Sequence, residues 1–181
     1  MDTEEDDTPV ASLTNPPIPG LYFDPAVRIS DELERLVMDF CHKTYFTAPG
    51  ANQVMLFGRA PQCSDPEGDS DSGLPPLLKT LLDAVSLSLK PSLSKATFDL
   101  LFPSTPTQAR QAIINLYYPG EGITPHVDLL GRYADGIMGV SLGSGCTMRF
   151  DEASGNDSGQ RYDLYLPERS VVVLSEEARY Q

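Results

Sequence analysis

Histidine is the scarce residue in this chain. His42 and His126 are the only two in 181 residues, and no further histidine follows His126. Basic residues are also few: 13 Lys and Arg stand against 26 Asp and Glu, for a net charge of −13. No Lys/Arg cluster offers a track for a phosphate backbone, which argues against a long duplex as partner. The three cysteines, Cys41, Cys63 and Cys146, are odd in number, scattered and without a C-x-x-C spacing. That argues against a disulfide framework or a zinc site and fits a reducing compartment, cytoplasmic or nuclear alike. No apolar run approaches the length that spans a bilayer, and the acidic N-terminus lacks the apolar core of a secretory signal.

The acidity is concentrated. Asp2, Glu4, Glu5, Asp6 and Asp7 form one run, and Asp65, Glu67, Asp69 and Asp71 form another. Without these nine side chains the remainder carries only −4. The expectation is a mildly acidic domain with two solvated acidic segments.

At 181 residues and 40% hydrophobic, one domain with one sizeable core is the default. Residues 1–17 read as a disordered acidic tail and 18–181 as the domain. Ser30 is a plausible N-cap, with Asp31 and Glu32 favourable in the first turn. Leu33, Leu36, Val37, Phe40 and Cys41 follow at helical spacing to about His42. Residues 53–58 read as a strand, and Ala60 to Gly73 as a polar loop. Pro75 and Pro76 open a second helix, with Leu77, Leu78, Leu81, Leu82, Val85 and Leu89 on one face and Pro91 limiting it. From about Phe98 the pattern is strand after strand, with a loop around Gly155 and Asn156. Two helices and then six or so strands suggest an α+β domain.

The densest chemistry lies between Asn115 and Asp128. Residues 110–118 read as a strand, Pro119, Gly120 and Gly122 as turn chemistry, and 136–142 as a further strand. His126 and Asp128 are two apart, so on a strand they point to one face. An imidazole and a carboxylate projecting together suit two positions of a 2-His-1-carboxylate metal site. The pair alone is a weak signal, since a His-x-Asp arises by chance in roughly one such chain in five or six. Spacing alone fits equally a core histidine with Asp128 as its hydrogen-bond partner. Asn115 and Tyr117 alternate on the same strand and need polar partners wherever they are buried. Tyr117 and Tyr118 suit sheet packing or an aromatic substrate. His42 suits a helix C-terminus. Gly143, Ser144, Gly145 and Cys146 suit a turn; the spacing is not that of a nucleophile elbow. Phe57, Gly58 and Arg59 suit a strand end or part of a substrate lid.

The run Asn115, Tyr117, Pro119, Gly120, Gly122, Ile123, His126 and Asp128 resembles the iron- and 2-oxoglutarate-dependent dioxygenases of the AlkB-like family. Ser141 to Gly143, the strand Cys146 to Phe150, and Ser170 to Leu174 followed by Glu177 to Tyr180 resemble the segments that come after it. The resemblance covers roughly Leu74 to Gln181, and more loosely Ile18 to Gly58 through Pro19, Gly20 and Leu21. It implies a double-stranded β-helix, or jelly-roll, with two N-terminal helices backing one sheet. It implies Fe(II) on His126 and Asp128, and 2-oxoglutarate hydrogen-bonded by Asn115 and Tyr117. The family's distal histidine and its 2-oxoglutarate arginine come just after the segment matched by Arg179 and Tyr180. The domain is therefore expected to be incomplete at its C-terminus, without the strand that closes the family's sheet after 171–174, so that an uncovered sheet edge favours low solubility or oligomerisation.

Two functions follow as expectations. One is oxidative demethylation or hydroxylation of a modified base in RNA or DNA, or of a protein side chain, with 2-oxoglutarate leaving as succinate and CO2. The other is a catalytically inactive family member that serves as a binding or regulatory module.

Overall fold

A computed structural model describes residues 11–58, 73–105, 109–129, 131, 134–152 and 160–180. Within them run β1 (Leu21–Arg28), α1 (Asp31–Thr44), β2 (Gln53–Gly58), α2 (Pro76–Leu89), α3 (Lys95–Leu101), β3 (Arg110–Asn115), β4 (Ile137–Val140), β5 (Cys146–Asp151), β6 (Arg161–Leu166), β7 (Ser170–Leu174) and α4 (Glu176–Tyr180). This is a mixed α+β arrangement with three small sheets, ordered β1–β7–β4, β2–β3 and β5–β6. The chain divides into two compact units: residues 1–27 with 125–181, and residues 28–124.

The first unit is organised by β7. Ser170, Val171, Val172 and Val173 are all buried. A run that is apolar without alternation suits a strand covered on both faces. β7 accordingly lies in the middle of its sheet. It pairs antiparallel with β4, from Ile137 opposite Leu174 to Val140 opposite Val171. Strand 171–174 is itself covered on both sides, because β1, from far upstream in the chain, takes its other side; the outer strands of this sheet among the described residues are β1 and β4.

β5 and β6 do alternate. Met148 and Phe150 turn inward opposite Leu164 and Tyr162. One core collects Leu21 and Phe23 from β1, Leu164 and Leu166 from β6 and Val172 from β7, with Met148, Phe150, Leu174 and Ala178 packed against it. On the alternate positions, Arg149 grips Asp163 in a two-pronged contact at 2.7 and 3.1 Å, and Arg161 meets Asp151 at 2.6 Å. Ser12, upstream of the Ile18 boundary that composition suggests, bridges to β6 through its backbone N–H to the Asp163 carbonyl and its carbonyl to the Tyr165 N–H. The acidic run of residues 2–7 lies outside the described residues.

The turn from β7 into α4 is locked from far upstream. The Gly20 carbonyl accepts from the Ser175 backbone N–H at 2.9 Å and from its hydroxyl at 3.0 Å, and Pro19 accepts from the Ala178 N–H. Gly20 sits at φ +81°, and a Cβ there would lie 1.9 Å from the Ser175 carbonyl oxygen. Only glycine fits that conformation and that approach.

In the second unit the Ser30 hydroxyl caps α1 by accepting from the Leu33 N–H, as its position predicts. Helix α1 packs on α2. Val37 and Cys41 are buried as expected, whereas Leu36 is exposed and Glu34 is buried. Pro76 opens α2, which buries Leu78, Val85 and Leu89. Phe98 corrects the sequence reading. It lies in α3 rather than in a strand, because Ser94 caps a helix there by accepting from the Thr97 N–H. The described residues thus hold four helices rather than two, and five strands after Phe98. β2 and β3 form an antiparallel ribbon from Gln53 opposite Asn115 to Gly58 opposite Arg110. The expected loop from Ala60 and that around Gly155 and Asn156 lie outside the described residues, as do Arg59 and Cys63.

Gly20→Ala is expected to destabilise the chain by at least about 1 kcal/mol, read from urea unfolding, because the methyl group meets backbone and the residue must hold a positive φ. The Asp163 carboxyl is held below its ordinary value of 3.8, first by the hydrogen bond from Arg149. A group whose folded pKa lies below its unfolded value stabilises the fold above the unfolded pKa, and that stability is lost as pH falls through the folded one. Asp163→Asn should therefore unfold at lower urea than the parent near neutral pH. The gap should begin to narrow near about pH 4, the unfolded value, and close only as pH falls through the lower pKa of the folded carboxyl.

Candidate functional site

Each unit holds some of the candidate residues. In the second unit, β3 ends at Asn115, where its pairing with Gln53 of β2 ends. Tyr117 therefore stands beyond the strand, not on it, and the expected alternation of Asn115 and Tyr117 on one strand face does not occur. The two are nonetheless brought together. With Asn52, Gln53, Gly122 and Ile123 they line a shallow depression of about 210 Å³. Both are exposed, so neither is a core hydrogen-bonder. Tyr118 is exposed too, which removes sheet packing as the reason for the tyrosine pair.

Gln53 is the residue that sequence reasoning missed here. Its side-chain amide donates to the Asn115 oxygen at 2.8 Å. With that oxygen taken, Asn115 keeps its NH2 as a donor, and Tyr117, a phenol able to donate, lines the same depression. Two donors on one ledge suit the acceptor oxygens of a carboxylate. Only the β2–β3 register places Gln53 opposite Asn115, and residue 53 by itself carries no such signal.

The segment after Tyr117 folds as its prolines and glycines predict. Glu121 donates its N–H to the Tyr118 carbonyl at 2.9 Å, and Gly120 takes φ +87°. Proline followed by a positive-φ glycine is the signature of a type II turn. The Glu121 carboxylate reinforces the turn by accepting from the Tyr118 N–H at 2.9 Å.

In the first unit, residues 125–129 form neither strand nor helix. His126 and Asp128 are thus not presented by a strand, contrary to the sequence reading, since turn residues and Pro125 interrupt regular pairing. They still come together: His126 Nε2 lies 3.8 Å from Asp128 Oδ1, with the side chains 47% and 45% exposed. That separation is too long for a hydrogen bond, and the exposure is wrong for a core histidine. Two donors each about 2.1 Å from one metal and at right angles lie about 3 Å apart. Half-exposed side chains reach that spacing by small rotations, so the pair fits two neighbouring positions on a metal. Among the described residues no third His, Cys, Asp or Glu joins them. His42 lies in the last turn of α1 with its ring against Phe46.

Behind the pair stands Arg179, a second residue the sequence reading did not place in the site. It lies in α4 and is only 5% exposed. Its guanidinium donates to the Asp128 and Leu129 carbonyls, each at 3.4 Å. Residues 143–145 lie in the connection between β4 and β5, as expected of a turn, and Cys146 opens β5. No described helix is long and apolar enough to cross a membrane.

Residues 28–181 match the family described as the 2OG-Fe(II) oxygenase superfamily. The chain is 40% identical over 70 residues to uncharacterized protein L905 of Acanthamoeba polyphaga mimivirus, a stretch covering 39% of this chain and 32% of that protein. It is 40% identical over 70 residues to the tRNA (carboxymethyluridine(34)-5-O)-methyltransferase alkbh8 of Xenopus tropicalis, covering 39% of this chain and 10% of that protein. It is 37% identical over 84 residues to the alkylated DNA repair protein ALKBH8 homolog of Arabidopsis thaliana, covering 39% of this chain and 24% of that protein. The match spans a third or less of the length of each of these relatives. By the match over residues 28–181, the chain belongs to the 2OG-Fe(II) oxygenase superfamily, with AlkB proteins of the ALKBH8 kind among its relatives.

Proposed function

We propose that this chain carries the iron- and 2-oxoglutarate-binding portion of an AlkB-type dioxygenase. The observation that carries the reading is the pair His126 and Asp128, half-exposed and 3.8 Å apart on an irregular segment. His126 and Asp128 hold Fe(II). Asn115 and Tyr117 donate hydrogen bonds to 2-oxoglutarate, and Gln53 orients Asn115 by occupying its oxygen. Iron and 2-oxoglutarate, when bound, supply the oxidising chemistry: 2-oxoglutarate and O2 are consumed, a substrate C–H becomes C–OH, and succinate and CO2 leave. On an N-methyl group the hydroxylated product releases formaldehyde and the N–H is restored. The sheets β1–β7–β4 and β5–β6 are, in this reading, part of a double-stranded β-helix.

A nucleic-acid base is the favoured substrate class, supported by relatives whose names concern tRNA and alkylated DNA. The low basicity of the chain favours a single base in a loop or a short strand over a long duplex. A protein side chain is the rival substrate. A second reading, a binding or regulatory module without catalysis, is favoured by one observation: no third ligand stands with His126 and Asp128 among the described residues.

The test is equilibrium dialysis of the chain against Fe(II) and 2-oxoglutarate without oxygen. His126→Ala and Asp128→Ala should each abolish iron retention. Asn115→Ala and Tyr117→Phe should weaken 2-oxoglutarate binding by about tenfold or more, the usual loss for a hydrogen bond to a charged group, and leave iron in place. Iron retained by both metal-site variants would refute the site. Iron and 2-oxoglutarate bound together, with no succinate formed on admitting O2 and methylated oligonucleotides or peptides, selects the binding module.

A further inference from the structure

The segment that carries His126 and Asp128 has no regular backbone pairing of its own, so something else must hold it. We infer that α4 is its brace, with Arg179 and Asp135 as positioning residues; this rests on the metal-site reading above. Arg179 donates to the Asp128 and Leu129 carbonyls. Seven residues on from Asp128, the Asp135 carboxylate reaches the other way and accepts from the Glu176 N–H at 3.0 Å, while its second oxygen accepts from the Gly136 N–H at 2.8 Å. The stretch from Asp128 to Asp135 is thereby fastened to the five residues of α4 at both ends, once by a donor and once by an acceptor.

The brace is itself fixed. Ser175 and Ala178 donate to Gly20 and Pro19, and Ala178 packs on the core. The guanidinium is buried, stacks over the Tyr180 ring at 5.1 Å, and has no partner on Nε among the described residues. A buried cation held mainly by two main-chain carbonyls contributes little to stability by burial itself. What it does is fix the direction in which the Asp128 backbone, and so its carboxylate, faces. Groups that orient metal ligands from behind typically change metal affinity by about 10- to 100-fold when removed.

The experiment compares the whole chain with Arg179→Met, Arg179→Lys and Asp135→Ala, using Mn(II) alone as the probe and its electron spin resonance signal to separate free from bound ion. Arg179→Met and Asp135→Ala should each weaken Mn(II) binding by about 10- to 100-fold. Arg179→Lys, which keeps a donor, should recover part of the loss. The carbonyl 13C resonances of Asp128 and Leu129, recorded without metal, should shift in Arg179→Met and return partway in Arg179→Lys; a merely space-filling side chain would give no such recovery. Binding by the parent that depends on His126 and survives unchanged in Arg179→Met and Asp135→Ala overturns the brace alone. Unmoved carbonyl resonances do the same. Absence of any His126-dependent Mn(II) binding in the parent overturns the metal site and the brace with it.

Discussion

The burial of β7 is the constraint on which the first unit depends. Three consecutive buried valines suit a strand covered on both faces, and β7 is paired on both sides. That requirement draws β1 from the start of the described chain and β4 from its middle to the two flanks of β7. It also fixes where β7 ends, and therefore where α4 begins and where Arg179 projects. The segment carrying His126 and Asp128 leads into β4, whose first residue Ile137 lies opposite Leu174, and it touches α4 at that same end of β7. A site with no secondary structure of its own thus inherits its position from the most buried element of the unit.

Local signals in the sequence were read where they are governed by neighbours a few residues away. The Ser30 cap, the proline start of α2, the valine strand β7 and the Pro119–Gly120 turn all depend on short-range backbone preferences, and each stands where those preferences place it. The failures come where tertiary pairing decides. Phe98 has strand-like neighbours, yet Ser94 turns the segment into α3. Tyr117 continues an apolar, aromatic pattern, yet β3 stops once its partner β2 runs out. Alternation states what a segment can pair, not how long its partner is.

The candidate site divides along the same line. The residue types and spacing of Asn115, Tyr117, His126 and Asp128 were visible in one short run, because all four lie within fourteen residues. Their supports were not. Gln53 meets Asn115 from 62 positions away, and Arg179 meets Asp128 from 51. Nothing in either residue alone marks it as a partner. Side chains of distinctive chemistry can be read from one short run, whereas the partners that a distant register brings beside them cannot.

The contact between Gly20 and Ser175 spans 155 positions of sequence. Closing a loop of that size is entropically slow, and it must precede the packing that rewards it. While the chain is being synthesised, Leu21 and Phe23 emerge early and wait, uncovered, until residues 170–178 have left the ribosome. The first unit therefore completes its core late, and in the interval its earliest strand is an apolar segment without a partner. Exposure at that stage, rather than weakness of the finished fold, is the consequence of pairing β1 with a strand translated about 140 residues later.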